Sequence, residues 1–585
     1  MPAPGPAAHT PWRQRWRAYR QAALADDLVA AVTVTILLVP QSLAYALLAG
    51  LPPVVGVMAS LLPIVAYAAF GSSKLLAVGP VAVISMMTAQ AIQPAALALN
   101  VSAHLAALVL AFEMAVVLMA AALLRLEVFA ALLSVPVLHG FITGAALVIA
   151  LGQLPTLVGA PIQGNTLTDL LLALAAAPAP WSALPHPTTA AIGGAALAGL
   201  WLLRRHGLRL MRALGLAPRP ALLASRMAPM AVVALAVALV VALVAVAPQA
   251  LHGVALAGRV DLRDGLTSPM LWHAPLALWL ALAGPATLLA LVAYVEGLAV
   301  AEALAARRGD KIAPRRELLG LAAANAAASL SGGMPVTGGF ARSIVNFDAG
   351  ARTRLAGVWT ALLLAAAAWL LGPLLGLLPR TVLAATIIVA VLSLVDGRPF
   401  AHAWRYSRTE FALMVLVAGL TITAGVELAL SVGVLVAAGI LLQRTARPHW
   451  AEVGRLPGSE VFRNVKRFEV ETLPGVLAVR IDESLLFTNS RWLAQTLTAA
   501  PQQRPGLQHV VLMMSGVNDI DLTGLEGLMQ LTRELMAQGV SLHLSELKGP
   551  VADRLAAAGL ASWLSGRVFQ TQGDAHRALS GPSGG

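Results

Sequence analysis

Cysteine is absent from all 585 residues, which excludes disulfides and thiolate metal sites. Lysine is nearly so, because 36 of the 40 basic residues are arginine. That excess, with the abundance of alanine, reads as the bias of a GC-rich bacterial genome. The formal charge of +12 raises nucleic acid as a partner. Many arginines, however, sit in short loops between apolar runs, which is the pattern of membrane topology and not of a nucleic-acid face. No metal-ligand cluster, nucleophile elbow or phosphate-binding glycine loop occurs, so neither a cofactor nor catalysis is expected. The polar, basic stretch Met1–Gln21 has no signal-peptide apolar region and is expected to be a cytoplasmic tail.

What the chain has is apolar length. Hydrophobic residues make up 58% and mean hydropathy is +0.78, the composition of an integral membrane protein. Composition shifts near residue 444, so the expected domains are a tail over 1–26, a membrane domain over 27–444 and a soluble domain over 445–585. Candidate spans lie near 27–49, 54–71, 79–97, 103–123, 130–152, 187–203, 228–247, 276–305, 317–333, 337–350, 355–377, 379–396, 409–426 and 428–443. Fourteen spans put Arg13, Arg15, Arg17 and Arg20 on one side of the membrane. The same side takes the linker 204–226 with its six arginines, Arg307 to Arg316, Arg352, Arg354 and Arg398 to Arg408. That side is the cytoplasmic one by the positive-inside rule, and 248–275, without net charge, falls outside.

The segment Ser331–Asn346 carries four glycines, a proline and Arg342 inside this apolar region. A charge at membrane depth marks function by default, and broken backbone is tolerated there only where it is buried or lines a cavity. A helix opening near Thr337 would turn its free N–H groups and its positive dipole end into that cavity, which reads as an anion site. Gly79–Ser85 is a second proline-opened segment. Pro80 and Pro335, like Gln41 and Glu296, lie 255 residues apart. Interrupted segments in matching positions of two inverted halves point to a transporter's binding site. In the soluble part, Val476–Ile481, His509–Met514 and Val540–Leu544 read as strands. Helices near 490–500, 522–538 and 550–559 alternate with them, which implies a mostly parallel α/β sheet.

Pro40–Ala46, Ala49–Pro53, Gly71-Ser-Ser73, Val78–Ser85 and Ser134–Phe141 resemble motifs of the SulP anion permeases. Asn325, Pro335–Asn346 and Ala349–Thr353 extend the match, and Asn518–Leu525 resembles the STAS domain those permeases carry. The resemblance implies an all-α domain of fourteen spans in a seven-plus-seven inverted repeat, divided into core and gate, and a cytoplasmic α/β STAS domain. It also implies a dimer, in a bacterial inner membrane, moving anions by alternating access. It carries the anion site to Val81, Ala82 and Val83 on one side and Phe340, Ala341 and Arg342 on the other, with Gln41 and Tyr45 completing the pocket. Ala341 stands where relatives often have a hydroxyl, which shifts the expected ligation toward backbone amides.

Glu296, near mid-span, is the expected proton-coupling residue, because a carboxylate beside an anion opposes it unless protonated. Its alternatives are a fixed partner for Arg342 or a polar contact between helices. In sodium-coupled relatives hydroxyls accompany an acid here. The matching positions are Val300 and Phe340, which argues against sodium. Arg342 could instead pair with Asp348. Glu113 reads as a structural polar contact, Asp26 and Asp27 as interfacial, and His139 as packed. Thr523 reads as a helix cap, with phospho-acceptor as its rival. The expectation is proton-coupled uptake of sulfate or a similar small anion, with the bilayer and a cytoplasmic partner of the STAS domain as further contacts. Bicarbonate, dicarboxylate or chloride transport and anion sensing are the alternatives.

Overall fold

The computed structural model describes residues 17, 19–126, 134–160, 162, 164, 166–176, 187–258, 260–262 and 268–580. Arg13, Arg15 and the first residues of the fifth expected span, 130–133, lie outside the described residues. The chain divides into two compact units, Met1–Leu435 and Val436–Gly585.

The first unit is helical. It opens with α1 (Leu24–Leu48), α2 (Pro53–Met58) and α3 (Leu62–Phe70), then a two-residue strand β1 (Val78–Gly79) leading into α4 (Ala82–Leu99). There follow α5 (Ala103–Leu123), α6 (Val135–Val158), α7 (Leu167–Ala176), α8 (Pro187–Ala213) and α9 (Pro218–Val246). The second half runs α10 (Leu276–Arg308), α11 (Pro314–Leu330), β2 (Thr337–Gly338), α12 (Phe340–Asp348), α13 (Leu355–Gly376) and α14 (Arg380–Val391). A short α15 (Arg398–Tyr406), α16 (Arg408–Ala424) and the first turns of α17 (Val426–Ala446) complete it, the rest of α17 belonging to the second unit. Each of the fourteen expected spans meets a helix, the second one broken at Ala59–Leu61. Eight segments among the described residues are long and apolar enough to cross a membrane by themselves. The nine-residue α12 is too short to do so and depends on the backbone that precedes it.

Packing sorts these helices into two groups. In the core, α5 packs on α10 and α11, α3 on α11 and α13, and α1 on α13. In the gate, α6 packs on α14 and α16, and α8 on α9 and α14. Each group takes helices from both halves of the chain, as an inverted repeat requires. The groups meet where α1 touches α14 and α9, and where α4 touches α6.

Two buried carboxylates brace the core. Glu317, in the first turn of α11, accepts Tyr67 Oη at 2.6 Å, Ser72 N at 2.9 Å, Ser72 Oγ at 2.5 Å and Ser73 N at 2.9 Å. Asp27, in the first turn of α1, accepts Arg352 N at 2.7 Å, Thr353 N at 3.1 Å and Thr353 Oγ1 at 2.5 Å. Both residues have no exposed surface. Asp27 is therefore not interfacial as expected: it satisfies orphan amides of a loop from the other half of the chain. Asp26 does stay near the surface, paired with Arg352 at 2.6 Å. The linker 204–226 is also corrected, since α8 extends to Ala213 and α9 starts at Pro218, so most of its arginines are helical.

The second unit holds a six-stranded sheet in the order β4-β3-β5-β6-β7-β8. The strands are β3 (Trp450–Arg455), β4 (Phe462–Asn464), β5 (Val476–Ile481), β6 (His509–Met513), β7 (Ser541–Ser545) and β8 (Val568–Phe569). The four from β5 to β8 are parallel, with Val476 opposite His509 and His509 opposite Ser541, while β3 and β4 are antiparallel. The interleaved helices include α18 (Ser490–Thr498), α19 (Ala500–Gln503) and α20 (Leu522–Ala537), followed by α21 (Gly549–Ala557), α22 (Leu560–Trp563) and α23 (Gln572–Leu579). Val479, Ile481, Leu512 and Leu544 from the strands pack with Leu493 of α18 and Leu528, Leu531 and Leu535 of α20. The expected three strands are present, and β3, β4 and β8 are additional. Charged Glu452 and Arg455 hide the first of these, and the last is only two residues long.

His543 on β7 is buried, with its Nε2 3.2 Å from His509 Nδ1 and its Nδ1 accepting Arg567 N at 3.0 Å. Burial, then His509 and Arg567, push its pKa from 6.5 down to about 4. The unfolded chain therefore binds the extra proton between those values. Stability is complete above about pH 6.5 and is lost as pH falls through that window toward 4. After screening by water the loss should be about 2 kcal/mol. Calorimetry of the full chain should show this unit melting earlier at pH 5 than at pH 7.5, and His543→Gln should flatten that difference. An unchanged slope in the variant would assign the pH dependence to other groups.

Candidate functional site

The site begins with the two short strands. β1 and β2 pair antiparallel, Val78 opposite Gly338 and Gly79 opposite Thr337. The half-helices α4 and α12 start just beyond this crossing, so their N-termini share one region. They open 258 residues apart, at Ala82 and Phe340. The 255-residue spacing of Pro80 and Pro335 is thus not the register of the repeat: Pro80 follows its strand and Pro335 precedes its own. The N-caps Val81 and Gly339 are extended and make no side-chain cap bond. Such helix starts present free N–H groups and the positive end of a dipole, which together attract anions.

Side chains hold the broken backbone in place. Asn325 accepts Val336 N at 2.9 Å and donates to Val336 O at 3.0 Å. Thr337 Oγ1 donates to Ala293 O at 2.6 Å, one turn before Glu296 on α10. Ser343 Oγ accepts Ala77 N at 2.9 Å and donates to Gly339 O at 2.7 Å, while Gly339 N donates to Ala77 O at 3.1 Å. Asn346 Nδ2 reaches Leu75 O at 3.0 Å. Each half of the chain thereby supports the other's half-helix.

Arg342 lies at the centre, 3% exposed. Its Nη2 donates to Pro80 O at 2.8 Å, so the second half's arginine is tied to the first half's backbone and not to Asp348 through this donor. Glycine makes the approach possible. A Cβ at Gly79 (φ +155°) would stand 2.7 Å from Arg342 Nη1, and one at Gly339 would stand 3.0 Å from its Nε. Arg342 Nη1 is buried without a hydrogen-bond partner, as are Glu296 Oε2 and, one turn into α4, Ser85 Oγ. Tyr45, Glu296 and Arg342 are within electrostatic reach of one another. Such unpaired polar groups are costly in a protein interior and call for a ligand or an exchangeable proton.

A cavity of about 590 Å³ opens beside this cluster, between core and gate. Phe340, Ala341 and Arg342 form one wall with Gln41, and Arg204, Thr386 and Ser393 lie on the gate side. Val81, Ala82 and Val83 are buried behind the crossing and do not line it. Of the eight expected pocket residues, Gln41, Phe340, Ala341 and Arg342 line the cavity, Val81, Ala82 and Val83 form the start of α4, and Tyr45 lies within electrostatic reach of Arg342 and Glu296. Ser85 and Arg204 were not singled out from sequence. Ser85 stood inside a quoted motif, and Arg204 looked like one more topological arginine.

Two expectations elsewhere change. Glu113 Oε2 is buried without a hydrogen-bond partner, so no polar contact explains it. Its neighbour Phe112 meets Trp272 and Trp279 edge-on at 6.3 and 5.7 Å. The cap of α20 is Asp521, whose side chain accepts Gly524 N at 2.7 Å and Phe487 N at 2.8 Å. Thr523 is two residues too far along to do that, and it lies exposed. His139 is half-buried, consistent with packing.

Comparison with known proteins places the chain among transporters. Residues 24–417 match the model of the sulfate permease family, and 467–575 match that of the STAS domain. A probable sulfate transporter of Mycobacterium tuberculosis is 32% identical, over 95% of this chain and 94% of its own. The chloroplastic sulfate transporter 4.1 of Arabidopsis thaliana is 30% identical, over 93% of this chain and 78% of its own. In fold, the chain is similar to murine Solute Carrier 26 family member A9, an anion transporter solved facing inward. The TM-score is 0.84 at 22% identity, over 99% of this chain and 96% of that one. The transmembrane domain of the cyanobacterial bicarbonate transporter BicA gives 0.59 at 19% identity, over 72% and 98% respectively.

The crossing predicts its own sensitivity. Gly79→Ala introduces a Cβ against the Arg342 guanidinium at a backbone angle that disfavours alanine, at a cost of about 1–3 kcal/mol. Thermal unfolding in detergent should fall accordingly, and a variant as stable as the parent would show that the contact is not constraining.

Proposed function

The chain belongs to the sulfate permease family, and we propose that it is a secondary active anion transporter coupling uptake of sulfate, or a similar small anion, to protons. The observation that carries this reading is the buried, unpartnered Nη1 of Arg342 at two facing half-helix starts. The anion is held by amides of Val81–Val83 and Phe340–Arg342, by Arg342, and by Gln41 and Tyr45. Most of these ligands are dipoles already in position, so binding needs little reorganisation. Alternating access moves the core with α4 and α12 against the gate.

Glu296 supplies the coupling. An ionised carboxylate beside Arg342 competes with the anion for the same positive field, and a protonated one does not. Proton and anion therefore load together. Sodium is disfavoured because Val300 is buried and Phe340 faces the cavity, so neither position offers a hydroxyl. Bicarbonate, a dicarboxylate or chloride remain alternative substrates, since Ala341 leaves selection to backbone amides. Anion sensing through Thr523 is a further one. Arginine placement orients the tail over 1–26 and the STAS domain over 445–585 to the cytoplasm of a bacterial inner membrane, with the membrane domain over 27–444 acting as a homodimer.

Uptake of labelled sulfate into proteoliposomes tests the proposal. An inside-alkaline pH gradient should drive accumulation without sodium. Arg342→Ala should weaken anion affinity about 10- to 100-fold, the worth of one charge-assisted hydrogen bond. Glu296→Gln should bind sulfate but lose dependence on the gradient. Uptake driven by sodium alone, or undiminished proton dependence in Glu296→Gln, would refute the coupling.

A further inference from the structure

We propose that the groove between α8 and α14 binds an anionic phospholipid, its phosphate held by Arg204 and Arg205. The groove encloses about 680 Å³. Its length is apolar, along Gly194, Leu197, Ala198 and Leu392, and its basic end holds the two arginines beside Trp201. From Gly194 to Arg205 the helix advances about 16 Å, a length over which an acyl chain can extend. A Cβ at Gly194 would meet nothing within 4 Å, so space remains at the apolar end. Trp201 is half-exposed, so the groove faces outward from the bundle.

Charge chooses the lipid. Neither Asp nor Glu lines the groove. A zwitterionic headgroup would find no partner for its ammonium there, whereas a net-negative one meets two guanidinium groups. The arginines are also pre-set. Arg204 Nη1 donates to Val389 O at 2.5 Å, and Arg205 lies over the Trp201 ring at 5.3 Å. Both contacts hold a long side chain near the groove and leave further N–H donors for a phosphate. Arg204 lines the central cavity as well, opposite Phe340 and Arg342, so a lipid phosphate on it changes the charge of the gate wall. The site stands independently of which anion is transported.

Native mass spectrometry of the delipidated full chain, titrated with phosphatidylglycerol or phosphatidylcholine, tests this. Phosphatidylglycerol should bind at least about tenfold tighter. Each arginine should be worth about fivefold, so Arg204→Gln with Arg205→Gln should weaken phosphatidylglycerol about twenty-five-fold. Ala198→Trp, which fills the groove and keeps both arginines, should lose the lipid, while Arg405→Gln, an exposed arginine elsewhere, should not. Glycerol phosphate should fail to compete, because it lacks the chains. Equal binding of the two lipids, a double variant that binds as the parent does, or competition by glycerol phosphate would overturn the proposal.

Discussion

The contact on which the membrane unit turns is the hydrogen bond from Arg342 to the carbonyl of Pro80, made between the glycine backbones at 79 and 339. Two helix starts and a guanidinium place positive potential in one buried region, an arrangement that repels itself when empty. The antiparallel pairing of Val78–Gly79 with Thr337–Gly338 holds them together despite that repulsion. Asn325, Thr337 and Ser343 add the bonds that keep the broken backbone from relaxing. The fold thus gathers positive potential at its centre, with Glu296 as the carboxylate within reach of it.

The rest of the core makes this centre rigid. Glu317 and Asp27 each collect amides and hydroxyls from a loop in the opposite half of the chain. Hydrogen bonds to a buried carboxylate are worth about 1.5–3 kcal/mol each, and an unpaired buried carboxylate would cost more than it gives. Core helices are thus locked to one another by polar ties. The contacts of core with gate run mainly through α1 and α4. The proposed alternating access would draw on that contrast, a stiff element beside a partner it can slide against.

Much of this was legible in the residues. Apolar run length and arginine placement give the helices, because lipid leaves few alternatives to a spanning helix. Glycine, proline and a lone arginine at membrane depth mark the candidate site for the same reason. Other features escaped because they are tertiary. Asp27 sits one residue from a true surface acid and differs only in the loop that folds onto it. Glu317 follows two arginines and looks interfacial until Tyr67 and Ser72 arrive. The spacing of Pro80 and Pro335 differs from the register of the repeat because proline marks the break without marking the same side of the strand in each half. Glu113, with its unpartnered oxygen, has no explanation in the structure.

Anion binding between the two half-helix starts is open to direct test. Anomalous diffraction from crystals grown with selenate, a heavier counterpart of sulfate, locates the ligand without reference to activity. A peak is expected within hydrogen-bonding reach of the first-turn amides of α4 and α12 and of Arg342 Nη1. A peak beside Arg204 alone, with none at the crossing, would contradict it.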